Sequence, residues 1–261
     1  MLNFRFAKDY LLHRLRGKTR HGTHSPFVYG LLDKVVYDDS PQKVYGDIEN
    51  LRRQLLSDQR VISVTDLGAG SRVDQKRQKK ISDIARNALK PPKLAQLLYR
   101  IAADLQPQNI IELGTCLGIT TLYLRKAAPG ARLYTLEGCP QTAAEAAKVF
   151  EKAGEKDIIP VNGNFDDTLP EVIAGLDRLD MVYIDGNHTK EATLRYFEWC
   201  LPKVHNDTLL IFDDIYWSEG MKEAWAEIKA HPQVTVTIDL FWIGLVYFRK
   251  GQAKEDFLIR F

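Results

Sequence analysis

Two segments of this chain end an apolar run in a carboxylate and a glycine turn. "VTDLGAGSRVDQKR" does so at 64–77, and "IIELGTCLGITTLYLRK" at 110–126. Turns of this kind occur where a strand hands over to a helix. The amides at the helix start can then hold a nucleotide-like ligand. A second chemical group lies further on. Asp185 follows the apolar run "MVYI", and Asp213 and Asp214 end the run "LLIF". Neighbouring parallel strands are about 4.8 Å apart, so acids at adjacent strand ends can bring their oxygens together. His188, three residues beyond Asp185, adds an imidazole able to move a proton.

The elements that would position these groups change character near Pro91-Pro92. Before it, the pattern is helical and charged. Leu2, Phe6, Tyr10 and Leu12 fall at helical spacing. Ser25-Pro26 predicts a helix start, with serine as cap and proline at the first helical position. A further helix fits Ile48–Leu56. After Pro92, helices and strands alternate. Strands are expected at Asn109–Leu113, Arg132–Glu137, Asp157–Val161, Met181–Asp185 and Leu209–Asp213. Helices are expected at Lys93–Leu105, Ile119–Ala127, Gln141–Ala153, Leu169–Leu176, Lys190–Leu201 and Met221–His231. A closing β pair, Val234–Leu240 with Leu245–Arg249, would add an antiparallel edge strand. This rhythm predicts an α/β fold: a Rossmann-like, doubly wound, mostly parallel seven-stranded sheet with an antiparallel last strand. The expected division is a helical extension or lid over 1–92 and the sheet domain over 93–261. Ligands in such sheets bind at the carboxyl ends of the strands.

Only one glycine turn fits that frame. After Gly70 the chain reads "SRVDQKRQKK", charged on every side, with no apolar stripe and no strand expected. After Gly118 it reads "ITTLYLRKAA", then "ARLYTLEG", a strand ending in Glu137. An acid about 20 residues beyond the turn, at the tip of the second strand, is placed to accept hydrogen bonds from ribose hydroxyls. The first turn reads instead as a surface turn or part of a flap. The middle position of the second turn is Cys116, where a dinucleotide fingerprint needs glycine for close approach to a pyrophosphate. A smaller ligand without phosphates suits it better. Glu112, inside the strand end, would repel a phosphate and could orient an ammonium.

"IIELGTCLGITT" followed by "LYTLEG" resembles the first motif and the ribose acid of class I S-adenosylmethionine-dependent methyltransferases. "VYIDGNHTKEATLRYFEWCLP" with "LLIFDDIYW" is similar to the O-methyltransferase branch that includes catechol, caffeoyl-CoA and macrocin-type enzymes. "RHGTHSPFVYG" suggests an uncharacterised bacterial subgroup. The resemblance covers about 93–250. It implies S-adenosyl-L-methionine as cofactor, with Glu112, Gly114, Thr115, Cys116 and Gly118 around the methionine end and Glu137 and Gly138 at the ribose. Gly163, Asn164 and Phe165 would stand at the adenine, with Phe165 equally readable as a core side chain. Asp185, also near the cofactor, would join Asp213 and Asp214 in holding Mg²⁺ or another divalent cation. Where macrocin-type enzymes carry an acid two residues after the first aspartate, this chain has Asn187, then His188. His188 would then serve as the base with Asp185, or merely cap the next helix or touch the cofactor.

The implied activity is methylation of a hydroxyl on a small molecule. The implied setting is a cytoplasmic, bacterial enzyme, a homodimer, with no nucleic-acid partner. The composition is compatible. No window approaches an uninterrupted membrane span, and Met1–Arg20 lacks the continuous apolar stretch of a signal peptide. Three cysteines far apart fit neither a disulfide framework nor a zinc site. A net charge of +2 implies no polyanionic partner for the whole chain. Two other readings remain. The basic residues Arg14, Arg16, Lys18 and Arg20, then Lys76, Arg77, Lys79 and Lys80, would suit an RNA- or protein-modifying methyltransferase. The basic, amphipathic first helix would suit a cofactor-binding or membrane-surface scaffold, or else a lid or dimer contact. "HGTH", with His21 and His24, reads as a turn before the Ser25 cap. Trp217 reads as a substrate-pocket wall or a core aromatic.

Overall fold

A computed structural model describes residues 4–65 and 77–261. In chain order the elements begin with α1 (Phe4–Arg16), α2 (Pro26–Leu31, continued by a π-helical turn Leu32–Val36), α3 (Lys43–Ser57), β1 (Val61–Ser63), β2 (Gln78–Lys80), α4 (Ile81–Ala88) and α5 (Pro92–Leu105). Then come β3 (Asn109–Leu113), α6 (Ile119–Ala127), β4 (Arg132–Glu137), α7 (Pro140–Lys152), β5 (Ile158–Asn162) and α8 (Phe165–Ala174). The chain continues with β6 (Met181–Ile184), α9 (Lys190–Cys200), β7 (Leu209–Asp213), α10 (Glu219–Ala230), β8 (Val236–Asp239), β9 (Ile243–Tyr247) and β10 (Glu255–Leu258). Two compact units result, one of Asp39–Gly175 and one of Met1–Asp38 with Leu176–Phe261.

In the unit Asp39–Gly175, β4 pairs in parallel with both β3 and β5. Every residue of β3 is buried, which is how a parallel strand covered on both faces reads. Helix α6 buries Ile119 through Arg125 and Ala127. Arg125 is tolerated there because its guanidinium donates to the Ala131 carbonyl (3.0 Å) and pairs with Glu155 (3.3 Å) and Asp157 (3.2 Å). Helix α3 packs on α4 and α6, and Tyr123 on α6 donates to Glu49 on α3 at 2.8 Å. The register aligns Leu113 with Leu136 and Glu137 with Asn162, so the three strands end level.

The first glycine turn, Gly68 to Gly70, lies outside the described residues, as do Leu2 and Lys76. Its flanks do not. Contrary to the expectation of no early strand, Gln78–Lys80 pairs antiparallel with Val61–Ser63. The ladder is made by backbone groups while the side chains face outward, so it needs no apolar pattern. Antiparallel flanks belong to a hairpin rather than to a strand-to-helix crossover.

In the other unit, β6 and β7 are parallel. β9 is antiparallel to both β7 and β8. The closing hairpin is therefore present, but its antiparallel strand lies between β7 and β8 and not at the edge. The edge is taken by β10, parallel to β8, an additional strand that the seven-strand pattern did not include. Its burial is partial, with Phe257 the one fully covered residue among exposed Glu255 and Asp256, so its sequence carries little apolar signal. Ser25 caps α2 as expected, accepting from the Val28 amide. Helix α1 differs in its packing face. Phe6 and Tyr10 lie 5.1 Å and 5.0 Å from the Phe241 ring. Buried His13 approaches Asp239 at 2.9 Å. Leu12 is only half-buried. Asp239 also accepts from Tyr216 (2.9 Å), Trp225 (3.1 Å) and the Phe241 amide (2.9 Å). One buried carboxylate thus ties α1, α10 and the turn after β8 together.

Trp225 of α10 lies flat against β9, and a Cβ added at Gly244 would come within 2.6 Å of its ring. Replacing Gly244 with alanine is expected to lower stability by about 1–3 kcal/mol through overpacking. Urea unfolding measures this. An unchanged midpoint would mean that the indole does not rest on that strand.

Candidate cofactor cradle and acid cluster

The turn between β3 and α6 is shaped by two carboxylates. Glu112, fully buried, accepts from the Thr121 hydroxyl (2.5 Å) and the Thr135 hydroxyl (2.7 Å). Thr135 spends its only proton on Glu112. In its 2.6 Å contact with Thr115 it must therefore be the acceptor. The relay pins Thr115, the second residue of the turn. The Gly114 and Thr115 amides both donate to the Leu136 carbonyl, at 2.9 and 3.1 Å. The second carboxylate, Glu137 at the end of β4, accepts from the Cys116 amide at 2.8 Å and the Cys139 amide at 2.9 Å.

This tethering holds an unusual backbone. Cys116 has φ 50° and Gly118 has φ 79°. The left-handed conformation is open to glycine and costs other residues about 1–2 kcal/mol. Gly118 has a second reason to be glycine, since a Cβ there would sit 2.5 Å from the Phe150 ring. As the N-cap of α6 it brings no side-chain cap. The first amides of that helix are thus left to water or a ligand, at the end where the helix dipole is positive.

Burial pushes the Glu137 carboxyl above the usual glutamate range, partly offset by the amides of Cys139 and Cys116. The Thr142 side chain and the Gly138 amide act on it in the same direction. Gly138 links Glu137 to Cys139. At the end of β5, the Gly163 amide and the Asn162 side chain donate to the Glu137 carbonyl, at 3.0 and 2.7 Å. Asn164 is exposed and caps α8 by accepting from the Asp166 amide. Helix α8 therefore starts four residues earlier than the sequence pattern indicates. Phe165, in its first turn, is half-buried rather than a core side chain.

The acids of the other unit form their own cluster. The register places Ile184 opposite Phe212, so Asp185 and Asp213 leave the sheet side by side. Tyr183, fully buried, lies between them. Its hydroxyl is 3.1 Å from Asp185 Oδ2 and 3.1 Å from Asp213 Oδ1. His188 Nε2 is 3.6 Å from Asp185 Oδ1 and 3.9 Å from Asp214 Oδ2. Asp185, His188 and buried Asp213 each offer an atom within 4.8 Å of the others, a spacing able to take a metal ion. Asp214 stands one step outside that trio. Its backbone is left-handed (φ 52°), and its amide donates to the Trp242 carbonyl at 2.8 Å. Thr189, not His188, caps α9, by accepting from the Ala192 amide. Trp217 is half-buried, and its amide donates to the Asp214 carbonyl. His21 and His24 are exposed. Five non-glycine residues are left-handed among the described residues. Cys116, Asn187 and Asp214 lie in these loops, and Phe241 lies in the turn that holds Asp214. Strain concentrated in this way is typical of functional loops.

Sequence reasoning missed Tyr183 and the threonine relay. A signal existed for the first: side chains two apart on a strand share a face, so Tyr183 had to point with Asp185. The relay had none, because Thr115, Thr121 and Thr135 come from three elements.

Residues 111–215 match a family described as a methyltransferase domain. A catechol O-methyltransferase of Niastella koreensis is 34% identical over 127 residues, 48% of this chain and 57% of that protein. One of Mycobacterium tuberculosis is 30% identical over 128 residues, 48% of this chain and 56% of that protein. The matched stretch thus spans little more than half the length of these relatives. Among solved structures, a methyltransferase of Podospora anserina bound to SAH superposes with a TM-score of 0.60 at 13% identity, covering 87% of this chain and 98% of that one. The O-methyltransferase TomG of Streptomyces achromogenes, in complex with SAM, gives 0.58 at 17% identity, covering 89% and 99%. These likenesses show the fold, a mostly parallel, Rossmann-like sheet flanked by helices with further helices at the N-terminus. By that fold and by the sequence of its central segment, the chain is similar to the class I S-adenosylmethionine-dependent methyltransferases.

Proposed function

We propose that this protein transfers a methyl group from S-adenosyl-L-methionine to a hydroxyl of a small molecule. The observation that carries the reading is the turn Gly114–Gly118, held open by Glu112 and Glu137, with no side chain at its helix start. The cofactor would supply an electrophilic methyl on a sulfonium. The first amides of α6 would receive its carboxylate, Glu112 would orient its ammonium and Glu137 would accept from its ribose hydroxyls. Asn164 and Phe165 would meet the adenine. Residues 93–261 would form the catalytic domain and residues 1–92 a helical extension over it. The relatives named catechol O-methyltransferase support a hydroxyl acceptor.

The acid cluster suits a divalent cation. It offers two carboxylates, one of them buried, and an imidazole beside a third carboxylate. That donor set fits Mg²⁺ through oxygen and softer divalent ions through nitrogen. Asp185 and Asp213 would hold the ion, with Asp214 nearby. A bound cation lowers the pKa of an acceptor hydroxyl. Tyr183 would keep the two carboxylates in register through its single hydroxyl. His188 would take the acceptor proton as the base. Its place within 4.8 Å of Asp185 and Asp213 also favours a second reading, in which it is the third ligand.

Two kinds of outcome are expected, one in the chemistry of the acid cluster and one in the pH dependence of binding. Methyl transfer to catechol-like or other hydroxyl acceptors should be lost in EDTA and in Asp213→Asn. Turnover that survives both removes the metal from the reaction. His188→Gln should lower kcat by about 10²-fold or more with metal affinity unchanged if the imidazole is the base. Weakened metal binding, with activity recovered at high metal, would assign it as a ligand. The second outcome concerns pH. Glu137 accepts from hydroxyls with full strength and on both oxygens only when ionised, and its pKa is raised by burial. Nucleoside affinity should therefore be full above that pKa and fall as pH drops through it. Glu137→Gln should bind about 10–100-fold more weakly at neutral pH, without that pH dependence. Equal affinity in wild type and variant across the range would separate Glu137 from the ribose.

A further inference from the structure

Helix α1 has two apolar faces, and only one is used. Phe6, Tyr10 and His13 face the Phe241 and Trp242 rings. At about 100° per residue, Phe4, Leu11 and Leu15 fall within about 40° of one another on the side opposite His13. They are 86%, 60% and 68% exposed. Three large apolar side chains aligned over three turns of a surface helix form a patch, in contrast to scattered single exposures.

The charges around this stripe say what covers it. Residues 4–20 carry six cations, Arg5, Lys8, Arg14, Arg16, Lys18 and Arg20, and a single acid, Asp9. Asp9 is engaged by Lys222 at 2.9 Å. Arg5 pairs with Glu219 and Arg20 with Asp33. Lys8, Arg16 and Lys18 make no ion pair among the described residues. Lys8 lies about 20° beyond Leu15 at one edge of the stripe, Arg14 about 60° beyond Leu11 on the other side, Arg16 about 100° from Leu15, and Lys18 just beyond the helix end. Long aliphatic stems let such side chains lie along an apolar surface while their charged ends reach an anionic layer. Pairing two copies of the stripe would bring the same cations together and is disfavoured by that repulsion.

We infer that the outer face of α1 docks the protein onto an anionic lipid surface. Phe4, Leu11 and Leu15 would enter the boundary between headgroups and acyl chains, and Lys8, Arg14, Arg16 and Lys18 would contact the headgroups. Docking through one face of a single helix is peripheral and reversible; no helix among the described residues is long and apolar enough to cross a membrane. It is independent of the methyl-transfer reading.

Flotation of the full-length protein with vesicles tests this. One set is phosphatidylcholine alone, the other contains about one third phosphatidylserine. The expected result is binding to the anionic set only, weakening as salt is raised. The double substitution Leu11→Glu with Leu15→Glu should abolish binding. Lys8→Glu and Arg16→Glu should each weaken it about fivefold or more. All these side chains are exposed, and melting temperatures close to wild type would confirm that the fold is intact. Two results would overturn the inference. One is no binding to anionic vesicles by the wild-type protein. The other is a dimer in analytical ultracentrifugation that the Leu11/Leu15 substitutions dissociate, which would make a second copy the occupant of this face.

Discussion

A buried carboxylate beneath a backbone turn is the constraint that shapes the cradle. Glu112 has no solvent to meet its charge, so two threonine hydroxyls are brought to it, and one of these holds a third. Hydrogen bonds to a charged group contribute about 1.5–3 kcal/mol each. That is enough to hold Cys116 in a backbone region it would otherwise avoid. Glu137 completes the frame by capturing the Cys116 amide. The turn is therefore fixed by charges at the ends of two neighbouring strands. A frame held by such internal hydrogen bonds lowers the ordering cost of binding.

The acid cluster is built in the same way, with a phenol in place of threonines. Tyr183 lies between Asp185 and Asp213 and contacts both. Around it, Asn187 and Asp214 are held in left-handed backbone. The turn carrying Phe241 and Trp242 anchors Asp214 through the Trp242 carbonyl. That turn is itself held by Asp239, the buried acid shared by His13, Tyr216 and Trp225. Helix α1 thus contributes to the placement of the Asp214 loop, although its own sequence contains none of the acids.

Features that depend on local pattern were legible in the sequence. Strands β3 and β4 have the bounds that the apolar runs indicate, because most positions of a parallel strand covered by helices are apolar. The preference for the second glycine turn rests on the apolar helix and strand that come after it. The hairpin strand β2 and the edge strand β10 were not legible. Both are largely exposed, and backbone pairing leaves no mark on side-chain choice. The interior place of β9 was not legible either, since sequence order does not give spatial order. In the site, the acids and glycines stood out by type and spacing. Asp239 did not, because its role comes from partners distant in the chain.

The proposed chemistry requires the turn at Gly114–Gly118 to be the seat of the nucleoside. Amide NMR of the full-length protein titrated with S-adenosylhomocysteine tests that most directly. The largest shifts should fall on Thr115 to Ile119, with Glu137, Gly138 and Asn164 moving on the same binding curve. Saturable binding whose shifts avoid this turn, or no shifts at all at millimolar ligand (~1 mM), would contradict it.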